Sequence, residues 1–213
     1  MNNNCDYIHK LFNNSQRFSF PFSKTDIPPN GIYILFEKGE IAHTVDRIVR
    51  IGTHTGKDQL CSRIIQHFLN ENKDRSIFRK NIGRAILNKN NDTYLKSWEY
   101  DLTTKANRKI YLESIDLARQ NQIEKEVTEY IQGNFSFMLL SIPDKDKRME
   151  IESKIISTVS LCKDCKPSEN WLGNHSTKDK IRKSGLWLVN ELWKQPLLPE
   201  DIEYIKGVIY APK

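Results

Sequence analysis

A change of hydrophobic period between residues 31 and 70 is the feature that most constrains this chain. Gly31-Ile32-Tyr33-Ile34-Leu35-Phe36 is β-branched and aromatic, and it follows a polar stretch, 1–30, that ends in Asp26-Ile27-Pro28-Pro29-Asn30. Such a run predicts a strand behind an extended lead-in. Asp46-Arg47-Ile48-Val49-Arg50-Ile51-Gly52 alternates again, which predicts a hairpin whose loop, with Lys38-Gly39 as its turn, is longer than a tight one. From Asp58 the period lengthens: Leu60, Ile64 and Phe68, with Cys61 and Ile65 beside them, make the apolar stripe of an amphipathic helix running to about residue 70.

Further helices are expected over 76–87, 115–131, 147–161 and 178–193, the second of them closing before a strand at 135–142. Gly133-Asn134 reads as a helix C-cap and Pro143 as the end of that strand. The stretch 88–109 has weak periodicity and resembles an insertion with one strand around Trp98 and Tyr100; 204–210 is a candidate last strand. Strands and helices in this order imply an α+β fold with a small sheet and helices packed on it. At 213 residues and 38% hydrophobic the chain can bury one well-cored domain with elaborations. The expected division is a lead-in over 1–30, a core domain over 31–176 with an insertion at about 88–130, and a C-terminal helical extension over 177–213.

A formal charge of +6 and a pI near 9.0 favour a polyanionic partner, although abundant Lys, Asn and Ile raise the pI without any such role. The longest apolar run, 135–142, is too short to cross a bilayer, and MNNNCDYIHK lacks a secretory h-region, so a soluble, cytoplasmic protein is expected, with no membrane partner. Cys5, Cys61, Cys162 and Cys165 would there remain thiols. Only Cys162 and Cys165 have metal-like spacing, with His175 downstream and no second pair to complete a tetrahedral set; the plain reading is two half-buried side chains at a helix end.

Two features carry chemistry. Glu152 falls among Met149, Ile156 and Val159 at helical spacing, where an apolar residue belongs. A carboxylate there must be paired, hydrogen-bonded or bound to a cation. Glu150, with Lys154 and Ser157, is on the polar side. Arg63 and His67 stand four residues apart and share one helix flank, where a fixed cation and an imidazole can face one phosphate; solvated flanks look the same.

Gly31-Ile32-Tyr33 opening one strand, Arg50-Ile51-Gly52 ending the next, Arg63 and His67 on the following helix, Glu152 on a later helix, and Asn170 beyond it together resemble the GIY-YIG nuclease superfamily. The resemblance implies a three-stranded antiparallel sheet flanked by helices and single-metal hydrolysis of a DNA phosphodiester, assisted by Mg²⁺ or Mn²⁺. It assigns the metal to Glu152 and the remaining site roles to Tyr33, Arg50, Arg63, His67 and Asn170. Arg50 stands where the family usually has its second tyrosine, a variation known within the superfamily. Asn170 and Asn174 flank the same Trp171-Leu172-Gly173, and Asn170 is favoured because it follows Pro167.

Under that reading a Tyr33 facing Arg50 across the hairpin would have its phenolate favoured and, helped by His67, would take a proton from the attacking water. Lys57, Arg79, Lys80 and Arg84, with Arg75, would line the DNA backbone. Tyr94, Trp98, Tyr100 and Trp171 are candidates for base stacking or, for Trp171 in preference, for the core. The competing readings are a DNA-binding protein of this fold that no longer cleaves, and an interaction protein with no nuclease role. Target sequence and oligomeric state have no signature in these residues.

Overall fold

A computed structural model describes residues 3–211. In chain order its elements are α1 (Asn3–Asn13), β1 (Phe18–Ser19), β2 (Gly31–Ala42), β3 (Val45–Gly52), α2 (Leu60–Phe68), α3 (Ile77–Lys89), α4 (Leu95–Trp98), α5 (Lys105–Tyr111), α6 (Leu117–Asn134), β4 (Phe135–Ser141), α7 (Lys145–Leu161), α8 (Asp179–Ser184) and α9 (Pro199–Tyr210). The fold is α+β. Its four-stranded antiparallel sheet has the order β1-β4-β2-β3, so the three expected strands are neighbours and a short edge strand joins them.

Alternation along β2 divides the core in two. Ile32, Ile34 and Phe36 enter one cluster with Ile8 and Phe12 of α1, Ile151 and Ile155 of α7, and Ile205 of α9. Tyr33 and Leu35 enter the other, with Ile64 and Phe68 of α2, Phe78 and Ile82 of α3, and Ile123 and Val127 of α6.

The hairpin departs from expectation. β2 runs through Lys38-Gly39, where Gly39 has φ 86° and the ladder is irregular, and turns instead at His43-Thr44, both with positive φ (53° and 68°). Two such residues are what a tight, primed hairpin turn requires; Gly39 therefore marks a local irregularity within the strand.

A second irregularity matters more. Leu35 pairs with Arg50 and Phe36 with Ile48, so Val49 is the extra residue of a β-bulge. Strict alternation would place Ile48 and Arg50 together. The bulge instead leaves Ile48 opposite Phe36 and turns Arg50 to the Tyr33 and Leu35 face. Tyr33 itself pairs with Gly52, so Arg50 is its diagonal neighbour and not its direct partner.

Several expected elements are corrected. The start of the chain is no lead-in: α1 buries Cys5, Ile8 and Phe12 against the sheet. The insertion has no strand at Trp98 and Tyr100 but the short helix α4, which sinks Trp98 beneath α3 with its indole N–H on the Lys80 carbonyl. Gly133 lies inside α6, whose cap is Phe135. The helix expected over 178–193 ends at Ser184, because Gly185 is left-handed (φ 68°), and 204–210 belongs to α9. Trp171 is core, as preferred, hydrogen-bonded through its indole to Glu37. No helix among the described residues is long and apolar enough to cross a membrane. Residues 1, 2, 212 and 213, at the ends of the expected divisions, lie outside the described residues.

Candidate active site

The bulge at Val49 organises the site twice over. It aims Arg50 at the Tyr33 face, and its carbonyl accepts the Trp187 N–H (2.8 Å), docking the segment after α8 onto β3. Arg50 returns the contact by donating through Nη1 to the Trp187 carbonyl. This segment closes a cavity of about 530 Å³ lined by Tyr33, Arg50, Gly52 and Thr53 of the hairpin, Arg63 of α2, Asn81 of α3, Glu152 of α7, and Asn190 and Glu191.

Tyr33 is 1% exposed. Its ring crosses Gly52 so closely that a Cβ there would lie 2.1 Å from the phenol oxygen, which explains glycine at that position. The phenol is hydrogen-bonded to His67 Nε2 (2.9 Å), and His67 Nδ1 to Ser76 Oγ (2.8 Å). Ser76 is also the N-cap of α3, accepting from the Arg79 N–H. Burial, then the neighbouring guanidiniums of Arg50, Arg63 and Arg79, hold the His67 imidazole well below its usual 6.5, so it is neutral at pH 7.

Arg63 is half-buried, with Nη1 donating to Gln66 Oε1 (3.2 Å) and the Arg75 carbonyl (3.4 Å). Arg50 is 4% exposed, and its guanidinium carbon lies 5.0 Å from the Phe78 ring centroid. Its Nε has no hydrogen-bond partner among the described residues.

Glu152 sits beside the apolar stripe of α7, not in its middle. Ile151, Ile155 and Val159 form the buried stripe, whereas Met149 is 39% exposed and lines the cavity with Glu152 and Ile156. Burial pushes the Glu152 carboxyl up to about 7, with Glu191 adding to the rise and Arg50, the Thr53 backbone and Arg63 opposing it. Glu191 accepts from Ser153 Oγ (2.6 Å) and from Lys194 Nζ (2.7 Å). The cavity lining offers carboxylate and amide oxygens and neither thiol nor imidazole. That donor set fits a hard divalent cation.

Of the residues singled out in the sequence, Tyr33, Arg50, Arg63 and Glu152 meet at one cavity, with His67 directly behind Tyr33. Asn170 does not join them: it is exposed in a turn, and Asn174 is tied to the Ser168 and Glu169 carbonyls. Asn190 holds the cavity position instead. Lys57 is exposed on the loop before α2.

Arg79 and Lys80 are corrected as DNA-lining residues, whereas Arg84, although buried, lines a second cavity with Lys178 and Lys180. Arg79 is fully buried and bound to Glu124 through Nε (3.1 Å) and Nη2 (2.8 Å). Lys80 donates to the Glu99 carbonyl (2.9 Å), and Arg84 forks onto the Glu99 carboxylate (2.6 Å for each nitrogen). Their partners come from the insertion, which wraps the helix flank that local sequence leaves open.

Sequence reasoning missed Ser76, Asn190 and Glu191. A serine opening a helix was a visible cap signal for the first; the other two lie where a continued helix was expected, and nothing local marked them.

A small antiparallel sheet that carries Gly31-Ile32-Tyr33 and Arg50-Ile51-Gly52 on adjacent strands, with Arg63, His67 and Glu152 converging on one cavity, defines a GIY-YIG-type nuclease fold. The family described as GIY-YIG domain matches residues 3–210, and the chain belongs to it. Searches of curated proteins and of solved structures found no match.

Proposed function

We propose that the chain is a divalent-metal-dependent endonuclease hydrolysing phosphodiester bonds of DNA. The observation that carries this reading is the hydrogen-bonded series Tyr33, His67, Ser76, which ends at the cavity holding Arg50, Arg63 and Glu152. With the His67 Nδ1–H donated to Ser76, neutral Nε2 accepts a hydrogen bond from the Tyr33 phenol and fixes its oxygen as the group facing the attacking water. Arg50 stands on the same face as a fixed cation. Arg63 grips non-bridging phosphate oxygens by charge-assisted hydrogen bonds.

Glu152, with Glu191 and Asn190 beside it, is the residue to hold Mg²⁺ or Mn²⁺; bound there, the ion supplies stabilisation of charge on the leaving oxygen. Asn190 takes the orienting role expected of Asn170, because it lines the cavity. For the DNA backbone, a second cavity with Lys178 and Lys180 shares Ile77, Asn81 and Val189 with the first, and Lys57 is exposed on the loop before α2. These cations, with Arg84 lining the same second cavity, are the proposed phosphate track, and Arg79 and Lys80 drop out of it.

Nicking of supercoiled plasmid with and without Mg²⁺ tests the proposal. The wild type should nick only with metal, and Arg63→Ala should lose on the order of 10²-fold or more in rate while folding normally, since one preorganised electrostatic group is removed. Undiminished cleavage by that variant makes Arg63 a surface charge; no cleavage by the wild type on any plasmid tried with Mg²⁺ or Mn²⁺ sinks the nuclease reading.

A further inference from the structure

On the opposite side of the sheet from Tyr33, three remote parts of the chain bring thiols and imidazoles together. Cys5 of α1, His43 of the hairpin turn, and Cys162 and Cys165 after α7 converge, with His9 of α1 alongside. One donor atom from each of Cys5, His9, His43 and Cys165 lies within 4.8 Å of the others. Cys5 and Cys165 are buried.

We infer that this cluster is a structural zinc site with Cys5, His43, Cys162 and Cys165 as ligands. The Cys5 and Cys165 sulfurs are 3.3 Å apart, and His43 Nε2 lies 3.2 Å from Cys165 Sγ and 3.6 Å from Cys162 Sγ. Zinc bonds of about 2.3 Å to sulfur and about 2.0 Å to nitrogen put tetrahedral neighbours roughly 3.5–3.8 Å apart, within a few tenths of an ångström of those separations. Cys162 is close enough to Cys5 and Cys165 for their thiols to influence its own.

His9 is left out because both of its nitrogens are engaged by main chain: Nδ1 on the Cys5 carbonyl (2.9 Å) and Nε2 with the Ile48 N–H (3.2 Å). One neutral tautomer satisfies both. His43 has Nε2 turned to the sulfurs and Nδ1 3.7 Å from Asp6 Oδ1, the carboxylate placement that orients metal-bound imidazoles. A disulfide would use two sulfurs and leave a third thiol and His43 unexplained. On binding, the three thiols release their protons to solvent as thiolates.

Four protein ligands leave no open position, so the site is structural. It clamps α1 and the hairpin tip to the C-terminal end of α7, roughly 15 Å along the helix from Glu152 at about 1.5 Å per residue. His175, the histidine nearest in sequence downstream of the CKDC pair, is exposed and takes no part.

The full chain, purified under reducing conditions and dialysed against metal-free buffer, should hold about one zinc per molecule by elemental analysis. Cys162→Ser and His43→Ala should lose it, whereas Cys61→Ser and His9→Gln should keep it. Asp6→Asn should weaken zinc affinity roughly 10- to 100-fold in chelator competition. Should the ligand variants fail to fold, the wild type still decides. Chelation should lower its thermal midpoint, zinc and not Mg²⁺ should restore it, and Co²⁺ should give thiolate-to-metal charge-transfer absorption. A folded protein with no zinc and an unfolding curve indifferent to chelator overturns the inference. So does a Cys5–Cys165 disulfide in metal-free protein, or zinc lost with His9→Gln and kept with Cys162→Ser.

Discussion

Glu152→Gln is expected to keep or slightly raise the thermal midpoint in metal-free buffer and to eliminate Mg²⁺-dependent cleavage. Burial outweighs Arg50 and Arg63 in setting the carboxyl's upward shift, so the ionised side chain costs stability without a cation. A large fall in midpoint with cleavage surviving would identify a structural ion pair instead. His67 makes a separate pH prediction. Its folded pKa lies below the ordinary 6.5, so as pH falls the unfolded chain takes up the proton first. The stability contributed by neutral His67 is therefore fully present above about 6.5 and is lost as pH falls through the window beneath it. Denaturant midpoints measured from about pH 7.5 to about pH 5 should decline, and His67→Gln should flatten that decline. An unchanged slope in the variant would mean that His67 titrates normally.

Among the elements, α3 and β3 do most to assemble the site. Ser76 both caps α3 and holds His67 Nδ1, coupling the start of a helix to the imidazole behind Tyr33. Ser76→Ala should cost about 1 kcal/mol for the lost cap and lower the cleavage rate, with Ser76→Thr restoring part of both. Full activity in the alanine variant would detach Ser76 from the proton path. The β3 bulge is the second coupling, because one extra residue transfers Arg50 from the α7 face to the Tyr33 face. Expected alternation could find both strands but not this shift, since register depends on the partner strand.

For the whole molecule, the insertion is the part that most alters the reading. Glu124 turns Arg79 from an open flank charge into an internal pair, and Glu99 engages Arg84 at the surface. Arg79→Ala should therefore unfold the protein more easily, by roughly 3–5 kcal/mol, because Glu124 is left buried without its guanidinium and with only the Lys73 N–H, among the described residues, as hydrogen-bond donor. Chemical denaturation measures this directly. A variant with native stability and weakened DNA affinity would return Arg79 to the surface role expected from sequence.

The hairpin, the strand at β4, helices α2, α3 and α7, and the set Tyr33, Arg50, Arg63, His67 and Glu152 were legible in the sequence. Each rests on a local pattern: alternation, helical spacing or a short motif reports which side chains leave water within one element. The ends of elements were less legible where a single conformation decides them, as at Gly185. Tertiary structure alone placed Asn190, and not Asn170, at the cavity, buried Arg79 against Glu124, and gathered Cys5, His43, Cys162 and Cys165 near one another. These are pairings between residues far apart in the chain. Local periodicity carries no information about which distant partner satisfies a buried charge or thiol; that is decided when the packed core brings the partners together.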